Sequence, residues 1–478
     1  MKFDELNLSS DILKALSNLG YKKPSEVQEA SIPRLLNGED IIVKSQTGSG
    51  KTASFGIPIC EKINIEEKNV QCLILTPTRE LAIQVKDELS NIGRLKKVRC
   101  TAIFGKQPFN DQVRELKQRV HIVVGTPGRV FDHMERGTLD LSGVNYVVID
   151  EADKMLSMGF IDQIKDILGE LRLNKTTALF SATFSKEIQE VCEEYMRNPS
   201  LLEIKSKVFN RDRIEESVIE IEEKNKEKAL WKCLYAYHPE SAIVFCNTRN
   251  KVKAVYKMLK DEGVTCNELH GDMEQKKRIE VMENFRDKHF KVLVCTDIAA
   301  RGIHVDTIEL VINYEVPMEM ESYVHRIGRT GRAGKEGKAI TFVNHYEKKF
   351  LDAVEEYIGY EIKKDSVPND DIVKVGRKLF KESQKEQLKE SRKPKKEVHS
   401  DIVKIHVNGG KKKKIRAFDI VGCFSNLEGV TGDDIGIIDV QDGFSYVDIL
   451  NGKGNMILRK YKEVNIKGKK VKIQRAKK

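Results

Sequence analysis

Two polar segments of the chain carry the residue types that phosphoryl transfer needs. The first, Ser45–Thr52, reads SQTGSGKT and lies between a β-branched run and a helical pattern. A glycine-rich loop in that context can cradle phosphates with its backbone N–H groups, while Lys51 reaches the β and γ oxygens and Thr52 holds Mg²⁺. Because Ser45 stands where the usual pattern has its first glycine, an ordinary strand-to-helix turn is the alternative.

The second segment, Asp150–Asp153, reads DEAD and follows the apolar run Tyr146–Ile149. Asp150 can bind Mg²⁺ there, and Glu151 can orient the attacking water. The alternative is an acidic helix start, which the helix dipole favours. The phosphate-binding loop in the same chain favours the catalytic interpretation.

Parallel sheets are expected to position these residues. Short β-branched runs alternate with helix-period segments, which is typical of an α/β fold with crossover helices. The runs are 41–43, 72–75, 122–124, 146–149 and 178–180 in the first half, and 242–245, 292–294, 310–312 and 340–343 in the second. Each run of the first half ends in a polar segment, and open α/β sheets bind ligands at that end of their strands.

The length of 478 residues predicts about three domains. The patterns predict sheet domains at 1–205 and 206–365, with a hinge near 201–213, then a basic linker at 366–400 and a third domain at 401–478. Within the linker, residues 374–399 hold ten basic and four acidic residues, which predicts a solvated segment or frayed helix. The last domain reads β-α-β-β-α-β, the order of a ferredoxin-like α+β unit.

The composition excludes several protein classes. Hydrophobic residues make up 40% and charged residues 33%, which argues against wholesale disorder. The first ten residues, MKFDELNLSS, are charged where a signal peptide would be apolar. No apolar run is long enough to span a membrane, so a cytoplasmic protein without membrane partners is expected. Nine cysteines without a C-x-x-C pair favour reduced thiols over disulfides or zinc.

The net charge of +10 is unevenly distributed along the chain. Residues 374–478 hold 27 basic and 13 acidic residues, whereas residues 1–373 hold 56 and 60. One end is therefore strongly basic and the body is nearly neutral, which indicates a polyanionic partner for the carboxyl-terminal part.

Six motifs occur in one order along the chain. They are SQTGSGKT, PTREL (77–81), TPGR (126–129), DEAD, SAT (181–183) and HRIGRTGR (325–332). Together they resemble the motifs of the DEAD-box ATP-dependent RNA helicases, over residues 1–363. The resemblance implies two RecA-like domains in tandem, an RNA-dependent ATPase, and ATP with Mg²⁺ as cofactors.

The resemblance also assigns residues to the nucleotide. Gln28 would read the adenine edge with one donor and one acceptor, with Tyr21 stacking on the ring. The implied nucleotide-binding set is Tyr21, Ser25, Gln28, Gln46, Thr47, Gly48, Ser49, Gly50, Lys51, Thr52, Asp297 and Gly302, with Thr52 and Asp150 on the metal. Taken alone, Gln28 would be a surface helix residue. His304 stands where the family usually has an aspartate that contacts the ribose, so that contact is in doubt.

The implied catalytic set is Lys51, Asp150, Glu151, Arg329 and Arg332. The two arginines would come from the second sheet domain and stabilise transition-state charge only when the domains close. Asp153, Ser181, Thr183 and His325 would couple the carboxylates to the RNA-side loops, while Arg326 and His325 would structure the domain interface. A buried, satisfied histidine is the alternative for His325.

The implied RNA-binding residues follow the strands of both sheet domains. They are Arg79, Thr126, Gly128, Arg129, Thr248, Arg249, Gln275, Arg278, Thr296 and Arg301. Such residues grip phosphates and 2′-hydroxyls without reading sequence, so closure would bend one strand and open a short duplex locally. Lys106 replaces the second glycine common at an RNA-facing turn and can add a phosphate contact. Each arginine alone could be an ordinary surface charge.

The basic carboxyl-terminal domain weakly resembles an RNA-recognition motif at Asp442–Ile449, although Phe444 and Tyr446 could simply be core residues. The segment NGGKKKKIR (408–416), with DDIGII (433–438) and NGKG (451–454), more closely resembles the DbpA/YxiN subgroup of DEAD-box proteins. That resemblance implies recognition of a 23S ribosomal RNA hairpin at the peptidyl transferase centre and a role in assembling large-subunit particles. The protein is expected to act as a monomer. The implied contacts are Lys411, Lys412, Lys413, Lys414 and Arg416. Lysine runs can also attract phosphate nonspecifically.

Two other functions fit parts of the pattern. An RNA chaperone or scaffold would use the basic domain without needing hydrolysis, and a DNA helicase would use the same ATPase residues. The complete catalytic set argues against the scaffold, and stimulation by DNA would distinguish the DNA helicase.

Overall fold

The computed structural model describes residues 1–44, 50–203, 213–297, 308–331, 336–390 and 401–476. The chain divides into two compact units. One is formed by Met1–Ile204 with Lys396–Lys478, and the other by Lys205–Lys395. The first unit contains two β-sheets and the second contains one.

The first sheet has seven parallel strands in the order β3-β4-β2-β5-β6-β1-β7. They are β1 (Ile41–Lys44), β2 (Cys72–Leu75), β3 (Cys100–Ile103), β4 (Ile122–Gly125), β5 (Tyr146–Asp150), β6 (Thr176–Ser181) and β7 (Ser200–Glu203). The helices are α1 (Ser10–Asn18), α2 (Glu26–Leu36), α3 (Lys51–Lys62), α4 (Arg79–Ile92), α5 (Phe109–Leu116), α6 (Pro127–Glu135), α7 (Ala152–Ser157), α8 (Ile161–Gly169) and α9 (Lys186–Tyr195), besides a 3₁₀ turn at Phe3–Glu5.

Three inner strands of this sheet are buried along their whole length. Every residue of β2, β4 and β6 is buried, because parallel strands are covered by helices on both faces. This explains why they read as continuous apolar runs rather than alternating ones. The five strands predicted for the first half are confirmed, and their carboxyl ends share one edge of the sheet.

The second unit repeats this design in the order β10-β11-β9-β12-β13-β8-β14. Its strands are β8 (Ile214–Glu220), β9 (Ala242–Phe245), β10 (Cys266–Leu269), β11 (Val292–Cys295), β12 (Leu310–Asn313), β13 (Gly337–Val343) and β14 (Lys364–Asp365). Its helices are α10 (Lys226–Tyr237), α11 (Arg249–Asp261), α12 (Gln275–Arg286), α13 (Met320–Ile327), α14 (Lys348–Ile358) and α15 (Asp370–Glu390), with a 3₁₀ turn at Glu223–Asn225. The four strands predicted here are confirmed, and all pairs are parallel.

Helix α15 differs from the expectation of a solvated segment or frayed helix at 374–399. It packs against α10, with Val373 and Phe380 buried in the core of the second unit. The rings of Phe380 and Tyr235 lie edge to face with centroids 5.5 Å apart, and Gly376 lets the helix approach the Tyr235 carbonyl closely. The sparse apolar residues are spaced to form one face, so composition alone underestimated the packing. Residues 391–400 lie outside the described residues.

The third sheet is antiparallel, in the order β16-β17-β15-β19-β18. Its strands are β15 (Val403–Val407), β16 (Ile435–Val440), β17 (Ser445–Ile449), β18 (Glu463–Ile466) and β19 (Lys469–Arg475). Helices α16 (Ala417–Ser425) and α17 (Gly454–Lys460) cover one face, and 3₁₀ turns occur at Lys411–Lys413 and Gly432–Asp434. The predicted β-α-β-β-α-β order is present, with β18 as an additional strand.

Within the first unit, the third sheet contacts the domain of the first sheet. Ala15, Leu95, Ile402 and Leu450 form a small buried apolar cluster. Arg94 forms an ion pair of 3.2 Å with the buried Asp448, and Arg99 donates to the Ile438 carbonyl at 2.6 Å.

All nine cysteines are free thiols, and six of them are buried. Burial raises the pKa of Cys72 well above its ordinary value, so these thiols are unreactive core residues. Within the described residues, no helix combines the length and apolar character that crossing a membrane requires.

Candidate nucleotide site and RNA-facing edges

The phosphate-binding segment leads directly into α3. Lys51 is the first residue of the helix, and Gly50 before it has φ +90°, a conformation that glycine adopts without strain. A Cβ on Gly50 would also lie 2.7 Å from Nε2 of Gln28. The positive φ therefore requires glycine at position 50, and a Cβ there would displace the Gln28 amide. Residues 45–49, which include the predicted ligands Gln46, Thr47, Gly48 and Ser49, lie outside the described residues.

Gln28 connects the start of α2 to this loop. Its side chain is buried and donates from Nε2 to the Gly50 carbonyl at 3.1 Å, while Oε1 accepts from the Ser25 backbone N–H at 3.0 Å. The alternative of a surface helix residue is therefore wrong. Tyr21 is half-buried, donates from its hydroxyl to Glu88 at 3.0 Å, and borders a cavity of about 220 Å³ that Phe3 also lines.

Asp150 ends β5 beside Lys51, and both side chains are buried. Burial lowers the pKa of Lys51, whereas the negative charges of Asp150 and Glu151 act to raise it. Burial, with the neighbouring Glu151, raises the pKa of Asp150 to about 7. Among the described residues, no hydrogen-bond partner reaches Oδ1 of Asp150. A buried carboxylate oxygen of this kind fits a hard cation such as Mg²⁺, which prefers oxygen ligands and keeps waters and phosphates as the others.

Glu151 has φ +56°, the left-handed region, although it is not glycine. Its carboxylate Oε1 lies 2.7 Å from Nζ of Lys154, and both side chains are buried. Strained backbone at such a position is typical of functional sites. Lys154 was missed from the sequence, although its place three residues after Glu151 at a helix start could have indicated the pair.

Asp153 joins the DEAD segment to the end of β6. Its Oδ2 accepts from the backbone N–H groups of Ala182 and Thr183, each at 3.2 Å, and its own N–H donates to Oγ of Ser181 at 3.2 Å. Ser181 in turn donates to the Thr183 carbonyl at 2.6 Å. The structure therefore brings together the three first-unit residues predicted to couple hydrolysis to RNA.

The loops after β2, β3 and β4 share one edge of the first sheet and hold the residues predicted to bind RNA. Arg79 begins α4, and its guanidinium lies against Gly105, where a Cβ would be 3.3 Å away. Lys106 is exposed with φ +61°, which explains the usual glycine at that position. Thr126 precedes α6, whose second residue, Gly128, faces open space.

The second unit places its predicted residues on the corresponding edge of its sheet. Thr248 caps α11 by accepting from the Lys251 N–H at 3.3 Å, and the exposed Arg249 forms an ion pair with Asp272 at 2.8 Å. Gln275 and Arg278 lie in the first turn of α12, and Thr296 follows β11. Helix starts at this edge offer backbone N–H groups to phosphates.

Arg326 is fully buried inside its own domain. Its Nε and Nη2 bind the two carboxylate oxygens of Asp297, each at 2.6 Å, and Nη2 also donates to Oδ1 of Asn247 at 2.7 Å. It therefore orients Asp297, a predicted nucleotide ligand, from inside its own domain. His325 is half-buried, and Arg329 is buried and donates to the His325 carbonyl at 3.2 Å. The predicted residues Arg301, Gly302, His304 and Arg332 lie outside the described residues.

In the third domain, the lysine turn at Lys411–Lys413 is hydrogen-bonded to the turn before β17. The backbone N–H groups of Lys411 and Lys412 donate to the carbonyls of Gln441 and Asp442 at 2.9 and 2.8 Å. Gly410 permits this approach, because a Cβ there would lie 2.1 Å from the Gln441 carbonyl oxygen. The lysines of this turn and Arg416 are otherwise largely exposed.

An aromatic cluster lies beside the lysine turn. The rings of His406, Phe444 and Tyr446 have centroids 5.2 to 5.6 Å apart. All three side chains are half-buried, and none belongs to the apolar core of the domain. The alternative that Phe444 and Tyr446 are core residues is therefore wrong, and the sheet places three half-buried rings beside the lysine turn.

Three family models match the chain, in the order of its domains. A DEAD/DEAH box helicase model covers residues 25–191, a helicase conserved C-terminal domain covers 225–334, and a DbpA RNA binding domain covers 404–475. Over 476 residues the chain is 50% identical to the ATP-dependent RNA helicase DbpA of Bacillus subtilis (strain 168). The match spans 100% of this chain and 99% of the relative. The chain belongs to the DEAD-box ATP-dependent RNA helicases of the DbpA type.

Two further matches cover about three quarters of this chain. The helicase CshA of Geobacillus kaustophilus is 45% identical over 72% of this chain and 74% of its own length. The structure of Saccharomyces cerevisiae Dbp5 bound to RNA and ADP BeF3 matches with a TM-score of 0.70 and 32% identity, covering 80% of this chain and 99% of that one. These matches support the tandem RecA-like fold and the assignment as an RNA-dependent ATPase.

Proposed function

We propose that this DEAD-box helicase opens short RNA duplexes locally and is directed by its carboxyl-terminal domain to a hairpin of 23S ribosomal RNA during large-subunit assembly. The single observation that carries the targeting is the lysine turn, which is held rigidly against the turn before β17 and lies beside three half-buried rings. Cations next to ring faces suit an RNA with unpaired bases, since phosphates attract the former and bases stack on the latter. The matching DbpA RNA binding domain supports this assignment.

At the nucleotide, we propose that Lys51 binds the β and γ phosphates and that Glu151 orients the attacking water. Asp150 and Thr52 would hold Mg²⁺, whose charge supplies stabilisation of the phosphates during transfer. This role is supported by Oδ1 of Asp150, which no hydrogen-bond partner reaches within the part of the chain that the structure describes. Gln28, Ser25 and Tyr21 would bind adenine, which requires Gln28 to exchange its contact with Gly50 for the base.

Arg329 belongs to the second unit, and we propose that it and Arg332 reach the γ-phosphate only when the two sheet domains close. The RNA-facing edges would then grip one strand through phosphates and 2′-hydroxyls without reading its sequence. A bent strand cannot keep its partner paired, so opening would be local. Unwinding efficiency should therefore fall steeply between a duplex of one turn and one of several turns, and equal efficiency would contradict local opening.

The deciding experiment for targeting compares the full chain with a variant lacking residues 401–478. RNA-stimulated ATP turnover is measured with a 23S ribosomal RNA fragment that contains the peptidyl transferase hairpin, with poly-RNA and with DNA. We expect the full chain to prefer the ribosomal fragment and the truncated chain to respond to all RNAs alike. A preference that survives truncation would contradict the proposal, and stimulation by DNA would favour a DNA helicase.

Glu151→Gln separates the helicase from an RNA scaffold. The variant should bind ATP and RNA but hydrolyse ATP about 10²- to 10⁴-fold more slowly, the usual contribution of a general base. Large-subunit assembly in cells that carry only this variant should then fail, whereas a scaffold would support assembly unchanged. We further propose that the protein acts as a cytoplasmic monomer.

A further inference from the structure

The loops that follow β3 and β4 are joined by one buried side chain. Gln112 lies in α5 and is completely buried. Its Nε2 donates to the Phe104 carbonyl at 2.9 Å and to Oε1 of Gln107 at 2.7 Å. Its Oε1 accepts from Nη1 of Arg129 at 2.9 Å and from Nε2 of His133 at 3.0 Å. Both donors and both acceptor positions of the amide are therefore used.

The chemistry of these partners fixes the orientation of the Gln112 amide. Arg129 can only donate, so the amide oxygen of Gln112 must face it. The same oxygen then accepts a hydrogen bond from the Nε2–H of His133, whose Nδ1 lies 2.8 Å from Oγ1 of Thr138. Burial, with Arg129 as the next cause, lowers the pKa of His133 to about 4. The ring is therefore neutral at pH 7.

Aromatic packing and a second backbone contact fix the same region. The ring of Phe109 stacks on His133, with centroids 4.1 Å apart and planes at 13°. Arg129 Nη1 also donates to the Gln107 carbonyl at 3.1 Å. Gln107 ends the turn that begins at Phe104, and Gly105 in that turn lies against the Arg79 guanidinium. Three loops thus meet around Gln112 and its partners.

We infer that Gln112 is a positioning residue for RNA binding, which holds the 104–107 turn in register with Arg129 so that the loops after β2, β3 and β4 present one preformed phosphate-binding surface. This inference rests on the proposed function of these loops. A preformed surface binds more tightly than separate mobile loops, because less conformational freedom is lost on binding. Gln112 itself is buried and acts only through its neighbours.

The test is Gln112→Met, which keeps the length of the side chain and removes its hydrogen bonds. We expect the KM for RNA in the ATPase assay to rise about tenfold, the effect of one lost hydrogen bond to a charged group. ATP turnover at saturating RNA and the KM for ATP should stay near the values of the unmodified chain. Gln112→Glu keeps the acceptors for Arg129 and His133 and should give an intermediate KM for RNA.

Gln71→Met is the matched control. Gln71 is also buried and bridges a loop, accepting from the Asn64 N–H at 2.9 Å and donating to the Asn64 carbonyl at 2.7 Å. It precedes β2 and so lies at the opposite edge of the same sheet. Its loss should lower the melting temperature without changing the KM for RNA. An equal rise in that KM would show that any buried glutamine has the effect and would overturn the inference.

A double-mutant cycle with Arg129→Met tests whether the two residues act together. Because Gln112 works partly through Arg129, the double variant should raise the KM for RNA by less than the product of the single effects. An effect equal to that product, or an unchanged KM in Gln112→Met, would contradict the positioning role. If RNA failed to stimulate the unmodified chain, the proposed function itself would fail, and that result is distinguishable from either of these.

Discussion

Many side chains at the candidate sites of this protein are buried, and their roles depend on buried neighbours as well as on direct contacts. Lys51, Asp150 and Glu151 could be assigned from the sequence, because each follows a strand whose end is fixed by its apolar run. Lys154, Gln112 and Arg326 could not, since their partners are brought near by side-chain reach and by loops of no regular spacing. Polar residues that support a site leave little pattern in one sequence.

The buried histidine His121 gives a pH prediction at this scale. Burial, with Arg119 and then Arg99 nearby, lowers its pKa to about 4 from an ordinary value of 6.5. Between these values the unfolded chain binds more protons, so His121 lowers stability as pH falls through that window. The loss between pH 7 and pH 5 amounts to about 2 kcal/mol.

His121→Asn isolates this contribution, because Oδ1 of asparagine can still accept from the Arg99 N–H that now binds Nδ1. Thermal unfolding of both proteins at pH 7 and pH 5 measures it, and the other titrating groups cancel in the comparison. The variant should lose less stability than the unmodified chain on acidification. An identical loss in both would show that His121 protonates freely in the folded state.

At the level of elements, the nine strands predicted for the two parallel sheets were confirmed because buried parallel strands are unbroken apolar runs. The edges were harder to predict. The hairpin of β18 and β19 has Val464 and Ile466 alternating with polar residues, and its turn at Lys467 and Gly468 has positive φ at both positions. A turn of this kind indicates a two-residue hairpin, but the many lysines around it led to β18 being missed from the sequence. The packing of helix α15 was missed for the same reason.

The packing of α15 predicts unequal effects for two adjacent residues. Phe380 is 1% exposed, contacts Tyr235, and lies 5.3 Å beneath the Lys291 ammonium, whereas Leu379 is 44% exposed. Phe380→Ala should destabilise the second unit by about 3 kcal/mol, because it opens a cavity. Leu379→Ala should change stability by less than about 0.5 kcal/mol.

Calorimetry of the full chain, together with proteolysis within 370–390, measures both effects. Phe380→Ala should lower the transition of the second unit and expose α15 to cleavage. If both alanine variants behaved alike, α15 would be a solvated segment as its composition suggests.

For the whole molecule, the charge count separates a nearly neutral part, residues 1–373, from a basic part, residues 374–478. The structure shows which of the basic side chains are exposed and which are paired with carboxylates. Lys453 is 2.7 Å from Asp434, and Lys460 pairs with Glu428. Lys411 and Lys412 extend into solvent from a turn that their backbone groups anchor. Net charge therefore overstates the number of lysines that can bind phosphate.

Salt dependence of RNA binding tests this distinction. Each phosphate contact contributes about 0.7 to the slope of log affinity against log salt for single-stranded RNA. The double variant Lys411→Gln, Lys412→Gln should therefore reduce the slope for a ribosomal hairpin fragment by about 1.4. The control Lys460→Gln should leave the slope nearly unchanged, because Lys460 is already paired with Glu428. Because lysines 411 and 412 lie outside the nucleotide site, the KM for ATP should not respond to either change. Equal slopes in the double variant and the unmodified chain would place the phosphate contacts elsewhere in the protein.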